Sequence, residues 1–245
     1  MGKNPYQTEW EVERYHWWFS VRRSLLLSLL PIMDLPGKSI VIDVGCGVGS
    51  NLYTLRSAGL SVIGLDRSFD NLSMARRKVE LPFVNGDLDN LPLRAGSASV
   101  IVAMDVLEHL ENDSKGIREL YRSLEKGGFL FLTVPAFYFL WGVQDIVTGH
   151  KRRYSKHEIL EKLRQENFEI VRFSYFNFFL FFPILVGRQI IRLFRFRVES
   201  ENEVNAPGLN FLLKLIFSIE PYLLKHISFP FGVSIFCIAK KRAES

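Results

Sequence analysis

A short apolar segment that leads directly into a cluster of glycines constrains this chain more than any other feature. The segment Val41-Ile-Asp43-Val is followed by Gly45-Cys-Gly47-Val-Gly49-Ser-Asn, after which the hydrophobic spacing becomes helical. Glycines at such a junction let the backbone turn tightly and approach a ligand without interference from a Cβ atom. The helix that follows begins with free N–H groups and the positive end of its dipole. The pattern predicts a buried strand, a ligand-binding loop and a helix in succession.

The same alternation of apolar segments and helical spacing continues along the chain. Strands are predicted over 39–44, 60–65, 81–84, 99–104, 129–134, 168–176 and 233–240, and helices over 6–33, 51–58, 71–79, 113–126 and 155–165. Strands that alternate with helices of this length form a parallel, doubly wound sheet. Such a sheet binds its ligands at the carboxyl ends of its strands.

Acidic side chains stand at the carboxyl ends of four predicted strands: Asp43, Asp66, Asp87 and Asp105. At the position of Asp66 a carboxylate can accept hydrogen bonds from both hydroxyls of a ribose. Asp87, beside the backbone N–H of Leu88, matches the edge of an adenine. A helix cap would explain any one of these aspartates. Four of them at one edge of a sheet indicate a single shared ligand.

Four successive motifs resemble those of class I S-adenosylmethionine-dependent methyltransferases of types 11 and 12. They are VIDVGCGVGSNL, GLDRS, NGDLDNLPL and AMDVLEHLEND, within residues 40–135. The resemblance implies S-adenosylmethionine as cofactor, with Asp43 and the glycines at its methionine end, Asp66 at its ribose, and Asp105 with Val106 beside its methyl group. The implied cofactor-binding residues are Asp43, Gly45, Cys46, Gly47, Gly49, Asp66, Arg67, Asp87, Leu88, Asp105 and Val106.

The implied fold is a Rossmann-like α/β domain with a mostly parallel seven-stranded sheet, an N-terminal helix and a helical insertion before the last strand. We predict four parts along the chain. Residues 1–36 form a lid helix, and residues 37–176 form the cofactor-binding core. Residues 177–232 form a hydrophobic, basic helical insertion, and residues 233–245 supply the last strand and tail of the core.

Two further segments are similar to methyltransferases of bacterial cell-surface glycan and lipid pathways. They are HWWF with the two arginines that follow it, and GHKRRYS. We therefore expect a small or lipid-linked acceptor, which includes glycan intermediates. Three hydrogen-bond donors next to a histidine suit a phosphate or carboxylate on that acceptor. Core packing of the tryptophans and a solvated basic turn are the structural alternatives. The predicted acceptor-binding residues are Trp18, Arg22, Arg152, Arg153 and Tyr154.

An oxygen acceptor needs a base or strong polarisation to accept a methyl group, whereas an amine needs only to be uncharged. His150, His109 and Glu108 are the candidate catalytic residues. The alternative for His109 is a packed or capping histidine at the end of the fourth strand. No metal site is predicted, because His150 and Asp145 are isolated in the sequence from the paired ligands that such a site requires.

The insertion differs in composition from the rest of the chain. Residues 170–245 carry 10 Lys and Arg against 5 Asp and Glu, whereas residues 1–169 carry 21 of each, and 14 of the 21 phenylalanines lie between Phe168 and Phe236. The apolar stretch over 173–187 is interrupted by Asn177 and Pro183 and is too short to span a bilayer. We predict that 177–232 contacts a membrane surface or a lipid, with its arginines toward the headgroups. Packing, on the domain or between two copies in a homodimer, is the alternative.

Two other classes of function are kept as alternatives. An NAD-dependent oxidoreductase uses a similar strand, loop and helix, but its fingerprint is G-x-G-x-x-G, whereas this loop is G-x-G-x-G. A methyltransferase-like membrane adaptor without turnover is the non-enzymatic alternative. No nucleic acid partner is predicted, because no dense basic stripe is present. Two distant cysteines and a polar N-terminus predict a cytoplasmic protein, peripheral at the inner membrane face.

Overall fold

The structure, a computed structural model, describes residue 13, residues 16–194 and residues 207–242. Its centre is a seven-stranded sheet with the order β3-β2-β1-β4-β5-β7-β6. The last strand, β7, pairs antiparallel with β5 and β6, and the other pairs are parallel. This confirms the predicted Rossmann-like, mostly parallel sheet. The strands are β1 Ile40–Val44, β2 Ser61–Asp66, β3 Phe83–Asn85, β4 Ala98–Met104, β5 Leu124–Pro135, β6 Phe168–Phe176 and β7 Ser234–Lys241.

Helices connect and flank these strands. Short 3-10 turns cover Leu30–Met33, Leu107–His109 and Tyr138–Leu140. The α-helices are α1 Trp17–Leu29, α2 Ser50–Ser57, α3 Phe69–Arg76, α4 Asp113–Ser123, α5 Val143–Val147, α6 Lys156–Gln165, α7 Phe181–Phe194, α8 Pro207–Ser218 and α9 Glu220–Leu223.

The core lies around the central strands, and it fixes the edge at which ligands bind. Val100, Ile101, Val102 and Ala103 of β4 are fully buried, as a parallel strand covered on both faces requires. The strand order reverses between β1 and β4, because β2 and β3 follow on one side of β1 and β4 lies on the other. The loops after β1 and β4 therefore border the crevice where doubly wound sheets bind ligands.

Helix α4 ends earlier than the predicted range of 113–126. It ends at Ser123, where Leu124 takes an extended backbone and donates its N–H to the Leu120 carbonyl. Leu124 then pairs with Ala98 of β4 and begins β5. Pairing with a strand that is distant in sequence overrides the local helical pattern.

The N-terminal helix packs on the insertion. The backbone N–H of Trp17 donates to Oδ1 of Asn210 over 2.9 Å, and the rings of Trp17 and Phe217 lie 4.7 Å apart. Trp17 is therefore a packing residue. Most of residues 1–15 and all of residues 195–206 lie outside the described residues, including Arg195 and Arg197 of the predicted basic insertion.

Four residues separate the end of β6 from the beginning of α7. Pro183 lies in its first turn, where a missing N–H removes no helical hydrogen bond. Within the described ranges, no helix combines the length and the apolar character that crossing a bilayer requires.

Candidate functional site

The loop after β1 contains three glycines with left-handed backbone. The φ angles of Gly45, Gly47 and Gly49 are 73°, 54° and 90°. A Cβ atom at Gly45 would lie 2.6 Å from Cγ2 of Val106, so the loops after β1 and β4 meet closely. Glycine is required at Gly45 both for its backbone angle and for this close approach.

Asp66, at the end of β2, holds this glycine loop. Its Oδ2 accepts a hydrogen bond from the N–H of Gly47 over 2.8 Å, and its Oδ1 accepts one from Ser68 over 2.8 Å. An ionised carboxylate offers about four lone-pair positions, so about two remain for hydroxyl groups of a ligand. The predicted contact between Asp66 and a ribose stays a prediction.

Asp43, at the base of the loop, is a buried carboxylate whose oxygens lack a hydrogen bond of normal geometry, and the Asn51 amide nearby only partly offsets its burial. Burial raises its pKa to about 8. A buried polar group without a partner is costly, and a ligand that brings donors or positive charge would satisfy it. Together with the glycines, this orphaned carboxylate fits the amine-bearing end of the implied cofactor, S-adenosylmethionine.

Asp43→Asn is expected to flatten the dependence of the unfolding free energy on pH between about pH 4 and pH 8. Because the folded pKa is raised, the carboxyl stabilises the fold below its unfolded pKa, and this contribution is lost as pH rises toward about 8. One pKa unit corresponds to about 1.4 kcal/mol, so the difference between variant and wild type should reach a few kcal/mol. Urea unfolding across this pH range measures it, with the exposed Asp70→Asn as control. Parallel curves for Asp43→Asn and wild type would contradict the assignment.

The other predicted cofactor residues lie just after the ends of β1, β2 and β3. Leu88 is buried, whereas Asp87 is exposed and its Oδ1 accepts a hydrogen bond from the N–H of Asp89 over 3.1 Å. Arg67 is exposed beside Asp66. Cys46 is buried, and burial raises the pKa of its thiol. Their contacts with a cofactor stay predictions.

Asp105, at the end of β4, forms an ion pair with the N-terminal helix. It has a φ of 55°, and its Oδ1 accepts a hydrogen bond from Oγ1 of Thr133 over 2.9 Å. Its Oδ2 lies 3.0 Å from Nη2 of Arg22, a buried residue of α1. Trp18 of α1 is half-buried and stacks on Phe176 with ring centroids 6.4 Å apart. Helix α1 therefore reaches the site through Arg22, and acceptor binding by Trp18 and Arg22 stays a prediction.

Glu13 is a site residue that sequence reasoning missed. Its Oε2 accepts a hydrogen bond from Oγ of Ser50 over 2.5 Å. Its Oε1 lies 3.2 Å from where a Cβ of Gly47 would be, so its carboxylate rests on the glycine loop. Glutamates at 9, 11 and 13 alternate with apolar residues, so the sequence gives no signal that singles out Glu13.

The structure brings the three predicted catalytic residues together. Glu108, His109 and His150 offer ligand atoms that all lie within 4.8 Å of one another, and we call them the Glu–His–His cluster. Nε2 of His150 lies 3.8 Å from Oε1 of Glu108, and the two imidazole rings are 4.9 Å apart. Lys151 donates its N–H to the Glu108 carbonyl over 2.7 Å, which joins the two loops that carry the cluster.

Asp145, in α5, contacts the His150 ring of this cluster. Its Oδ1 lies 2.8 Å from Nδ1 of His150, and its two oxygens accept hydrogen bonds from Nε and Nη2 of Arg153. Burial alone raises the pKa of Asp145, but the hydrogen bonds from His150 and Arg153 outweigh it and lower the pKa to about 2. The description of His150 and Asp145 as isolated is therefore wrong, because the fold pairs them.

The two other members of the cluster have shifted pKa values. Burial, reinforced by Asp105, raises the pKa of Glu108 well above its usual range. Burial, reinforced by His150, lowers the pKa of His109, so this imidazole is uncharged at neutral pH. Neither carboxyl oxygen of Glu108 has a hydrogen-bond partner among the described residues.

The predicted acceptor-binding residues near His150 have internal partners. Arg152 donates to the Leu110 carbonyl over 3.0 Å and lies 3.3 Å from Asp113. Tyr154 is fully buried and donates its hydroxyl to Asp113 over 2.9 Å, while Arg153 is engaged with Asp145. These contacts give all three residues structural roles, and their contact with an acceptor stays a prediction.

Arg188, in α7, points inward and not toward solvent. It is buried, its Nη1 donates to the Leu140 carbonyl, and the same atom lies 3.9 Å from Oδ2 of Asp145. The prediction that the arginines of the insertion face headgroups is wrong for Arg188, because the buried carboxylate attracts it. The contact ties the insertion to the group that orients His150.

Known proteins match the part of the chain that builds the cofactor loops. A family model described as a methyltransferase domain matches residues 42–132. A protein of Mycolicibacterium smegmatis, named a probable S-adenosylmethionine-dependent methyltransferase, is 30% identical over 135 residues, which are 53% of this chain and 52% of that protein. The chain spans 35% and 52% of the first two curated relatives that it matches.

A second relative matches a larger share of the chain. Phthiotriol/phenolphthiotriol dimycocerosates methyltransferase 1 of Mycobacterium ulcerans is 27% identical over 173 residues, which are 65% of this chain and 64% of that protein. Other relatives are named tRNA (carboxymethyluridine(34)-5-O)-methyltransferases, so similarity by itself does not select the acceptor.

The fold extends over nearly the whole chain in a solved structure. A chain of the Haloferax volcanii complex that contains the Trm112 methyltransferase activator superposes with a TM-score of 0.65 at 18% identity, and covers 97% of this chain and 95% of that chain. At this identity the match shows the shared fold alone.

Proposed function

This chain contains a class I S-adenosylmethionine-dependent methyltransferase domain, and on that premise we propose that it methylates a hydroxyl group of a lipid-linked acceptor at the inner face of a membrane. The cofactor of this family of domains is S-adenosylmethionine. The observation that carries the proposal is the position of the Glu–His–His cluster. Glu108 and His109 lie two and three residues after Val106, which contacts the glycine loop.

The chain's own residues provide the cofactor site. Asp66 binds the ribose through its remaining lone pairs, and Asp87 with Leu88 borders the adenine. Asp43 and the glycine loop hold the methionine end, whose positive charge favours ionisation of the buried Asp43 carboxyl. When bound, S-adenosylmethionine supplies a methyl group that its sulfonium already activates. In-line alignment of the acceptor then provides much of the acceleration.

The Glu–His–His cluster activates the acceptor hydroxyl. An oxygen nucleophile must be polarised or must lose its proton as the methyl group arrives. Asp145 fixes the His150 ring through Nδ1, and this leaves Nε2 on the side of Glu108. Arg188 and Arg153 hold Asp145 in place, so the insertion and the core share one support for the acceptor site.

The insertion supplies a membrane-facing surface next to that site. Phe182, Val186, Ile190 and Leu193 recur every three or four residues on α7 and are exposed, from 44% for Ile190 to 77% for Leu193. Arg188 of the same helix is buried at Asp145, so α7 carries an apolar surface outside and a site contact inside.

Helices α8 and α9 also expose apolar side chains, beside basic ones. Lys214 and Lys225 are exposed, which suits anionic headgroups. Contiguous exposed apolar surface with basic residues marks a lipid-binding site in a peripheral protein. The exposed apolar side chains on these two helices and their junction are Phe211, Leu212, Leu215, Ile219 and Tyr222.

Transfer of a labelled methyl group tests the activity. The chain is incubated with S-adenosylmethionine that carries a radiolabelled methyl group, and with bacterial lipid extract, a water-soluble metabolite fraction or total RNA as separate acceptors. We expect label in an organic-extractable product. Label confined to the soluble fraction or to RNA would contradict the lipid acceptor. Cofactor binding without transfer to any acceptor would favour the adaptor without turnover.

Removing the apolar surface of α7 tests membrane contact. Phe182→Ser combined with Leu193→Ser is expected to reduce binding to anionic phospholipid vesicles by about tenfold or more. Each large apolar side chain transferred from water contributes about 1.5–3 kcal/mol, and about 1.4 kcal/mol is a factor of ten. Tyr53→Ser, which removes an exposed aromatic ring on α2, serves as control in vesicle co-flotation. Unchanged flotation, together with a halved particle mass in light scattering, would assign the surface to a homodimer instead.

A further inference from the structure

The Glu–His–His cluster combines one carboxylate with two imidazoles, and we propose that it binds a divalent transition-metal cation that coordinates the acceptor oxygen. The inference rests on the proposed function, because it assigns the polarisation of the acceptor hydroxyl to the cation. The prediction that the chain has no metal site stands against this proposal, and the distances within the cluster are the reason to revise it.

The spacing of the three side chains suits one ion. Their ligand atoms lie within 4.8 Å of one another, and Nε2 of His150 is 3.8 Å from Oε1 of Glu108. Donors at about 2.0–2.2 Å from a tetrahedral zinc ion lie about 3.3–3.6 Å apart. Small rotations of the side chains would therefore bring all three donors to one ion, with no movement of the backbone.

Glu108 is the second observation that points to a ligand. Its side chain is 0% exposed, and neither of its oxygens has a hydrogen-bond partner among the described residues. The neighbouring carboxylates are already compensated, since Asp105 pairs with Arg22 and Asp145 pairs with Arg153. A cation between Glu108 and the two imidazoles would provide the positively charged partner that this buried carboxylate lacks among the described residues.

His150 already has the environment of a metal-binding histidine. Its Nδ1 lies 2.8 Å from the carboxylate of Asp145, an arrangement that fixes the ring and leaves Nε2 as the ligand atom. Histidine ligands of metal ions commonly donate their other ring N–H to a carboxylate in this way. Asp145 is therefore assigned as the positioning residue of the site.

The donor set selects the class of ion. Two imidazoles with one carboxylate suit Zn²⁺, Mn²⁺, Fe²⁺ or Co²⁺, whereas Ca²⁺ and Mg²⁺ prefer oxygen donors alone. Three protein ligands leave coordination positions open, as in catalytic metal sites. A hydroxyl bound there has a lowered pKa. Its proton passes to solvent, the bond from oxygen to the methyl carbon forms as the methyl–sulfur bond breaks, and S-adenosylhomocysteine leaves.

Metal binding by the untagged full chain tests this inference. The protein is treated with a chelator, desalted and titrated with MnCl₂, ZnCl₂ or CoCl₂ in the presence of S-adenosylhomocysteine, by calorimetry and by the visible absorption of Co²⁺. We expect stoichiometric binding of at least one of these ions. Glu108→Gln and His109→Ala should each weaken it by at least about tenfold, and Asp145→Asn by about 10–100-fold. His157→Ala, whose side chain is 88% exposed on α6, should bind as wild type does.

The outcomes separate this inference from the proposed function. Binding of S-adenosylhomocysteine by each variant shows that it is folded, and His109→Ala decides the result if Glu108→Gln does not fold. Absence of metal binding overturns the metal site. Metal binding that neither Glu108→Gln nor His109→Ala weakens overturns it as well. Full methyl transfer by chelator-treated protein also overturns it and leaves the methyltransferase assignment intact. Failure to transfer a methyl group with any acceptor, with metal bound, would instead count against the proposed function.

Discussion

Asp66→Ala is expected to weaken the binding of S-adenosylmethionine by about a hundredfold or more. Hydrogen bonds to a charged group contribute about 1.5–3 kcal/mol each, so the loss of two ribose contacts corresponds to about 3 kcal/mol or more. The N–H groups of Gly47 and Ser68 also lose their acceptor, which loosens the loop that surrounds the ligand. Calorimetric titration with S-adenosylmethionine, S-adenosylhomocysteine and NAD measures the effect.

Asp70→Asn provides the matched control for this change. Asp70 is exposed in the first turn of α3, four residues after Asp66. Its variant should bind both sulfur compounds as wild type does. Equal affinity of Asp66→Ala and wild type would show that the ribose does not lie at β2. Binding of NAD in place of the sulfur compounds would favour the NAD-dependent oxidoreductase over the methyltransferase.

His150→Ala is expected to lower the rate of methyl transfer to a hydroxyl acceptor by about 10²–10⁴-fold, with little change in cofactor affinity. This is the range that a positioned acid–base group contributes. Whether His150 removes the proton or holds the cation that polarises the oxygen, its loss leaves the acceptor unactivated. Single-turnover transfer of a labelled methyl group, with calorimetry of S-adenosylhomocysteine binding, separates the chemical step from binding.

His157→Ala is the control for that result, and Asp145→Asn is a second comparison. His157 is exposed on α6, so His157→Ala removes an equivalent imidazole at a position away from the site. Asp145→Asn keeps His150 but weakens the contact that orients it, so a smaller loss of about 10–100-fold is expected. A His150→Ala variant that transfers the methyl group at the wild-type rate would place acceptor activation elsewhere.

The contact between Arg188 and Asp145 links the two unusual parts of this protein. The insertion carries the exposed apolar surface, and its Arg188 reaches the carboxylate that orients His150. Docking of α7 on a membrane would thus act on the same helix that supports the acceptor site. A minimal doubly wound domain does not need this helix, and we propose that the insertion helps to form the acceptor site.

Most of the fold could be predicted from local patterns. Strand β6 was predicted over 168–176 and occupies those residues, because an apolar segment bounded by polar residues and a turn is a local signal. The glycine loop and the aspartates Asp43, Asp66 and Asp105 were equally visible, since parallel strands bring their carboxyl ends to one edge whatever their side chains are. The end of α4 was missed because it depends on the pairing of Leu124 with Ala98.

The sequence by itself therefore determined the sheet, the glycine loop and the carboxylates at its edge, because each follows from the residues next to it in the chain. Only the tertiary structure decided which charged side chains contact which groups: Glu13 contacts the glycine loop, Arg22 pairs with Asp105, and Arg188 lies beside Asp145. It also assembled the Glu–His–His cluster from two separate loops. These contacts join residues tens of positions apart, and a buried charge takes the partner that packing places beside it, which no local periodicity encodes.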